Sequence, residues 1–600
     1  EAQFGIRTVS ANTYPTADFG LTYKGEDGNP STATWTTAAS TVFPYVNRAG
    51  TLPIANGYTY RATADPLDTT TSVVLTDAAK DALAVVHTYT TQGNRQVLAL
   101  TFDSAGYLTH GQVLGYGLVS WVTKGLFIGE RHAYIDPQPD DLFIADSIWQ
   151  GPGDPQPTAC STRPDDPSLP QYRITGADFT AFTNWQTATQ AKAISKSMKV
   201  EFPYNGEGTT ADYYNSLGIT TDTLTPAVQA NQAKFKFVNH TYDHQNLDAN
   251  FVNVTVSHSG SSTLMSGASG QFLNSWGHTV IATGIPSGTV VSNVSADGRT
   301  VTLSKSTTLA NGPLQVWMGV TYVQTTAEIQ QNATVSSQLG LTTRNPSDLV
   351  QPDISGLTNQ NFLQSAYDHG VRYLISDTSR TGDPHTYGAN EGAVNSGTYN
   401  KTAPGATPAS GNSWRIYTLA RTAVNLYFNV NTPARWLAED QCLYPVGAFG
   451  HVDTYQQLLD RVSDQLASYL LQGQNRPLMF HQPNVAAYDG THSLLGDLMD
   501  RTFAKYGALV SVPVVSPTMD TLGLRQSDKE VLDAAVTSGK IVASTVPGVS
   551  VTLTNTGTTS VQVPVTGVNG GSTYKAESYG GQWISYATLA AGGSVTIPLS

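Results

Sequence analysis

Lys234-Phe-Lys-Phe-Val-Asn-His240-Thr-Tyr-Asp-His244 decides how this chain is read. Its first half reads as a strand, and its second half delivers two histidines four residues apart. On a helix or a tight helical turn that spacing puts both imidazoles on one side, where they can share one ion. A strand that ends by handing ligands into a mouth is how an α/β barrel builds a site. The competing reading is a polar loop whose histidines are merely hydrogen-bonded. A hard third ligand favours the metal, and Tyr134-Ile-Asp-Pro-Gln-Pro-Asp140-Asp141-Leu-Phe-Ile supplies two adjacent carboxylates before an apolar run. Neighbours at a strand end point to different sides, so one carboxylate can bind the ion while the other reaches its water.

Moving outward, residues 1–66 read as strands and loops. Between 72 and 124, Val73-Val-Leu and Arg95 to Phe102 read as strands, while Asp77 to Thr90 and Gly111 to Val122 have helical spacing; this predicts a parallel α/β unit. From Phe251 to Val323 the text turns to Ser, Thr, Gly and Val with alternation, the signature of an inserted β-module. Helical patterns return at 326–345, 358–376 and 454–472. Pro477 to His481 and Ala508 to Val515 read as strands, and 527–537 as a short helix. The expected fold is multidomain α/β plus β. A (β/α) barrel-like domain over 129–525 is interrupted by the module at 251–323. A β-rich and α/β accessory region precedes it at 1–128, and a β-sandwich follows at 541–600.

A chain of 600 residues exceeds what one core organises and predicts three or four domains. Charged residues are only 13% of the chain, about half the usual share, which suits an extracellular β-rich protein. A net charge of −13 disfavours nucleic acid, whose phosphates need a basic face. No apolar run approaches the roughly 20 residues that cross a bilayer, so no membrane insertion is expected. The opening at Glu1 looks like a processed start, and secretion is the expectation. Cys160 and Cys442 are then expected to pair, with two buried thiols as the alternative.

Asp140-Asp141 followed by His240-Thr-Tyr-Asp-His244 resembles the pattern of NodB-type polysaccharide deacetylases. More closely, the chain is similar to the galactosaminogalactan deacetylases of microbial biofilms. That likeness is carried by Tyr172-Arg-Ile-Thr-Gly-Ala-Asp, Phe202-Pro-Tyr-Asn-Gly, Leu419-Ala-Arg421-Thr-Ala-Val-Asn425-Leu-Tyr-Phe-Asn-Val-Asn-Thr-Pro and Leu478-Met-Phe-His481-Gln-Pro-Asn. The resemblance implies Zn²⁺, or another divalent transition metal, on Asp141, His240 and His244. It implies Asp140 as general base, Arg421 as the cation that keeps Asp140 ionised, and His481 as general acid. Tyr204, Asn205 and Asn425 are the implied substrate-binding residues. Two departures stand out. The family's Thr-Phe-Asp-Asp-Gly reads Gln138-Pro-Asp-Asp-Leu here, while Leu100-Thr-Phe-Asp103-Ser104 keeps the wording but lacks the second carboxylate. The inserted module is the other.

The function expected is a secreted, metal-dependent carbohydrate esterase that removes N-acetyl groups from a hexosamine exopolysaccharide. Peptidoglycan, chitin or poly-N-acetylglucosamine are the alternative substrates. The alternative class is a carbohydrate-binding adhesin without catalysis. Its aromatic platforms would be Trp35, Tyr58 and Tyr60, Trp276 and Trp317, or Tyr579 and Trp583.

Overall fold

The computed structural model describes residues 6–28, 32–154, 160, 168–267, 272, 280–295, 297–357, 359–377, 394–398 and 413–599. At its centre are seven parallel strands: β1 (Pro137–Asp140), β2 (Glu201–Tyr204), β3 (Lys236–Asn239), β4 (Arg344–Leu349), β5 (Tyr373–Asp377), β6 (Ser413–Ala423) and β7 (Leu478–His481). They lie in the order β1-β7-β6-β5-β4-β3-β2. Leu142, just past β1, bridges in parallel to Tyr204 of β2, so the sheet curls back on its first strand as a nearly closed barrel. Strands covered on both sides lose the alternation of a half-exposed strand. Accordingly β1, β2 and β3 are buried at every position, although they carry Gln138, Asp140, Glu201 and Lys236.

Those interior polar groups satisfy one another. Gln138 donates to Asp136 at 3.0 Å and to Glu201 at 2.9 Å, and Lys236 reaches Asp136 at 2.6 Å. The barrel wall includes α1 (Gly176–Gln190), α2 (Tyr322–Leu339), α3 (Tyr455–Gln472), α4 (Leu494–Leu509) and α5 (Met519–Thr537). Thr175, Thr321 and Thr454 open α1, α2 and α3 with capping boxes, and α2 and α3 end on left-handed Gly340 and Gly473.

Three sheet modules surround this barrel. Between β3 and α2, five strands lying between Ala249 and Gly319 form an antiparallel sheet with a core of its own. At the C-terminal end, strands from Ile541 to Pro598 make two facing sheets over one core, and one of those sheets takes in Phe127–Ile128 from ahead of the barrel. The N-terminal sheet shares its core with the barrel: the N–H of Ser511 donates to the carbonyl of Tyr45, and Asn47 donates to that of Gly507 in α4.

In two places the local reading differs from the fold. Asp77 to Thr90 is not a helix; Ala82–Tyr89 is a strand, antiparallel to both Thr71–Thr76 and Arg95–Leu100, so there is no parallel α/β unit. Ala82-Leu-Ala-Val-Val is buried at every position, and a short continuous apolar run does not distinguish helix from strand. The stretch Ala508 to Val515 is not a strand either: α4 runs on to Leu509, and only Val510 and Val515 make isolated bridges. The two bridges go to different partners, Val46 antiparallel and Tyr134 parallel, so no continuous ladder forms. The helix expected at 527–537 is the second half of α5.

Candidate metal centre

The C-terminal ends of the barrel strands converge on a cleft of about 160 Å³. Asp140 ends β1 and Asp141 follows it, His240 and His244 follow β3, Gln351 and Asp353 follow β4, Arg421 lies on β6 and His481 ends β7. Backbone strain is concentrated here. Asp141, Phe143, Thr241, His244, Asp353 and Ile354 all have positive φ, half of the twelve such non-glycine residues among those described. Strain of this kind persists only where surrounding contacts over-determine the chain, and it gathers at functional sites.

The left-handed turn at Asp141 (φ 68°) separates the two carboxylates. Asp140 turns to Arg421, which donates from Nη1 at 3.0 Å and from Nη2 to the other oxygen, a two-pronged pair buried from solvent. Arg421 Nη1 also stands 3.5 Å from Gln138, joining this pair to the polar interior of the barrel. Asp141 turns to the histidines instead: its Oδ1 lies 3.3 Å from Nε2 of His240 and 3.3 Å from Nε2 of His244. His481 Nε2 is 3.8 Å from Asp141 Oδ2. The Nδ1 of His240 is 2.7 Å from the carbonyl of Val350, which fixes the tautomer and aims Nε2 at the cleft.

Burial raises the Asp141 carboxyl, but His244 and His240 outweigh it and hold the group well below the usual carboxylate range. Burial lowers His240, yet Asp140 and Asp141 leave it above its ordinary value. For His481 burial prevails, and the imidazole sits below its ordinary value against the pull of Asp140 and Asp141.

Asp141, His240 and His244 present ligand atoms that all lie within 4.8 Å of one another. Asp141 Oδ1 and His240 Nε2 are buried and make no hydrogen bond. Orphaned buried polar atoms are costly, and a bound cation would satisfy both at once. One carboxylate and two imidazoles suit Zn²⁺ or a similar divalent metal and leave positions for water and substrate. Glu130, His132 and Glu577 form a second cluster, at the opposite end of the barrel. There Arg525 already supplies the positive charge, at 3.2 Å from Glu130, and each imidazole nitrogen faces its own carboxylate at 3.4 Å. That cluster is an ion-pair weld.

The structure thus brings six of the residues singled out in the sequence to one cleft: Asp140, Asp141, His240, His244, Arg421 and His481. Two of the three expected substrate-binding residues are buried beside the cleft with partners of their own. Tyr204 is fully buried and donates to the carbonyl of Asn332 at 3.2 Å, with its hydroxyl pushed up to about 12 by burial. Asn205 spends its amide on the carbonyls of His240 and Thr241, at 2.6 and 3.0 Å, and so braces the ligand loop from behind. Asn425 lies outside the cleft wall, its carbonyl accepting the indole N–H of Trp436. Asp103 takes the N–H of Tyr58 in the N-terminal sheet.

Sequence reasoning missed Phe428, whose ring stands 5.6 Å from that of His481, although it sits in a stretch already singled out. It also missed Glu328 of α2, which accepts the N–H groups of Tyr242 and Asp243 and is pushed up to about 8 by burial beside Asp243. No spacing pattern points to a residue so far along the chain. Of the aromatic platforms, Trp35 is core, Tyr579 is tied into the barrel through Ala133 and Pro513, and Trp583 is exposed. Trp276 and the side chain of Trp317 lie outside the described residues.

Residues 315–538 match the family model described as the Agd3 deacetylase domain, a span that includes Arg421 and His481. No curated protein matches the chain. Among solved structures, that described as Agd3, a novel carbohydrate deacetylase, is similar over 100% of this chain and 86% of its own, at 19% identity and a TM-score of 0.69. A 4-alpha-glucanotransferase from Thermococcus litoralis also aligns, over 69% of this chain and 47% of its own, at 9% identity and a TM-score of only 0.27. With residues 315–538 matching a deacetylase domain and the fold matching that of a carbohydrate deacetylase, the enzyme is a polysaccharide deacetylase.

Proposed function

We propose that the enzyme is secreted and removes N-acetyl groups, metal-dependently, from an extracellular hexosamine polymer of the galactosaminogalactan type. The observation that carries this reading is the pair of orphaned atoms, Asp141 Oδ1 and His240 Nε2, facing His244 beside the Asp140–Arg421 pair. Asp141, His240 and His244 would hold the metal, which when bound would supply Lewis acidity to the reaction. Asp140 takes a proton from the attacking water, and Arg421 keeps that carboxylate ionised and aimed. His481 stands across the cleft, its Nε2 3.8 Å from Asp141, and delivers a proton to the departing nitrogen.

The disulfide between Cys160 and Cys442 supports an oxidising destination. A contiguous group of Tyr14, Tyr23, Tyr58 and Tyr60 on the N-terminal sheet supports a grip on polymer. Their ring centroids are 5.1 to 5.3 Å apart, and Tyr14 is 53% exposed. Such faces stack on the C–H faces of sugars.

The test is acetate release from partly acetylated galactosaminogalactan, with and without chelator and added Zn²⁺. Chelator-sensitive release is the expected result. Release from chitin or peptidoglycan alone would move the substrate assignment, and release indifferent to chelator would end the metal assignment.

A further inference from the structure

We propose that Glu328 is the positioning residue of the ligand loop, its Oε2 gathering the successive N–H groups of Tyr242 and Asp243 and thereby placing His244 opposite His240 and Asp141. The inference rests on reading Asp141, His240 and His244 as the metal ligands.

The loop between the two histidines runs through strained backbone, with Thr241 at φ 65° and His244 at φ 62°. Left alone it would relax, because neither residue is a glycine. Its first half is secured from the barrel side. Asn239 accepts the N–H of Thr241 at 2.9 Å, and Asn205 donates to the carbonyls of His240 and Thr241. Its second half has a different anchor. The N–H groups of Tyr242 and Asp243 reach Glu328 Oε2 at 2.8 and 3.0 Å, and no other side chain among the described residues takes them. Two consecutive amides bound to one oxygen fix the peptide planes on both sides of Tyr242, just ahead of His244.

The anchor stands on a firm base. Glu328 is 7% exposed on α2, one turn before the fully buried Asn332. Asn332 donates to the carbonyl of Tyr204 at 2.8 Å and to Asn239 at 2.7 Å, and accepts the N–H of Gly206 at 2.7 Å. Residues four apart share a helix face, so this one face of α2 braces both the β2 end and the histidine loop. Glu328 touches no ligand atom, and its effect passes through the backbone alone. Partners of this kind govern metal affinity strongly when removed.

The measurement is Zn²⁺ affinity of the full chain, by competition with a chromogenic chelator, for wild type, His244→Ala, Glu328→Ala and Glu328→Gln. Glu328→Ala is expected to weaken Zn²⁺ by about 10- to 100-fold. Glu328→Gln keeps a carbonyl oxygen that can accept both amides, so it is expected to stay within about three-fold of wild type. In acetate release the alanine variant should lose kcat at Zn²⁺ concentrations that saturate wild type while the KM for polymer holds, because the loop positions the ion rather than the sugar. If far-UV circular dichroism shows Glu328→Ala unfolded, Glu328→Asp replaces it, the carboxylate drawn back by one methylene and the same weakening expected. Wild type that binds no Zn²⁺, or His244→Ala that binds it normally, would overturn the ligand assignment and this inference with it. Normal binding by wild type, lost in His244→Ala but kept in Glu328→Ala or Glu328→Asp, would overturn the role of Glu328 alone. So would a glutamine variant as damaged as the alanine one.

Discussion

Asp140 and Asp141 carry the same side chain one bond apart, and only the turn at Asp141 gives them different work. Asp141→Asn is therefore expected to lose bound metal, because the amide removes the anionic ligand. Asp140→Asn is expected to keep its metal and lose about 10²- to 10⁴-fold in kcat, the usual contribution of a general base. Metal content and acetate release, measured on both variants, separate the two roles; equal metal loss would merge them. Tyr204 makes the opposite case. Its hydroxyl serves α2, so Tyr204→Phe should leave kcat unchanged and cost about 0.5–1.5 kcal/mol of stability in denaturant unfolding. A large drop in kcat would restore it to the substrate. At this scale the sequence was legible wherever chemistry demands spacing: a pair of carboxylates and two histidines four apart announce themselves. It was mute about Glu328 and Asn332, whose partners, mostly backbone atoms, lie more than eighty residues away.

Among the elements, the sheet at 249–319 leaves and re-enters the barrel at one point. Ala249 pairs with Gly319, and the N–H of Val320 donates to the carbonyl of Asp248 at 3.1 Å. Both ends of the module thus lie side by side, and among the described residues its core draws on 254–303, with Leu309 packed against it. Replacing 249–319 by a short Gly-Ser linker should leave α2, with its Thr321 cap, and the metal site in place. Zn²⁺ affinity is expected to stay within about three-fold of the intact chain, since no ligand and no brace of the loop is removed. A collapse of affinity would show that the module holds α2 in position. The alternation at Thr300-Val-Thr-Leu made this module readable, because one face of its sheet is buried and the other is not. The strand Ala82–Tyr89 lacked that contrast, and its apolar run passed for a helix.

At the scale of the molecule, the joint between barrel and C-terminal sandwich is built from charge, and its pH dependence follows. His132 lies between Glu130 and Glu577, Arg525 reaches both carboxylates, and the Tyr586 hydroxyl lies between them with its one proton to share. No sequence pattern announces this joint, whose members are spread from residue 130 to residue 586. Burial lowers His132, but the two glutamates more than offset it and raise the imidazole above its ordinary 6.5. Its contribution to stability is therefore complete below 6.5 and is lost as pH climbs through the raised folded value. Glu577 is lowered to about 2, first by its hydrogen bond with His132, against its own partial burial. Its contribution is complete above the ordinary 4.5 and is lost as pH falls toward about 2. The joint is thus strongest between about pH 4.5 and 6.5, where both charges are present. His132→Gln keeps the volume and a hydrogen bond but not the charge. The gap in Tm between wild type and this variant should be widest in that window and shrink by pH 9. A gap that stays constant from pH 5 to 9 would mean that His132 packs the joint as a neutral ring, and that the charges around it stabilise nothing.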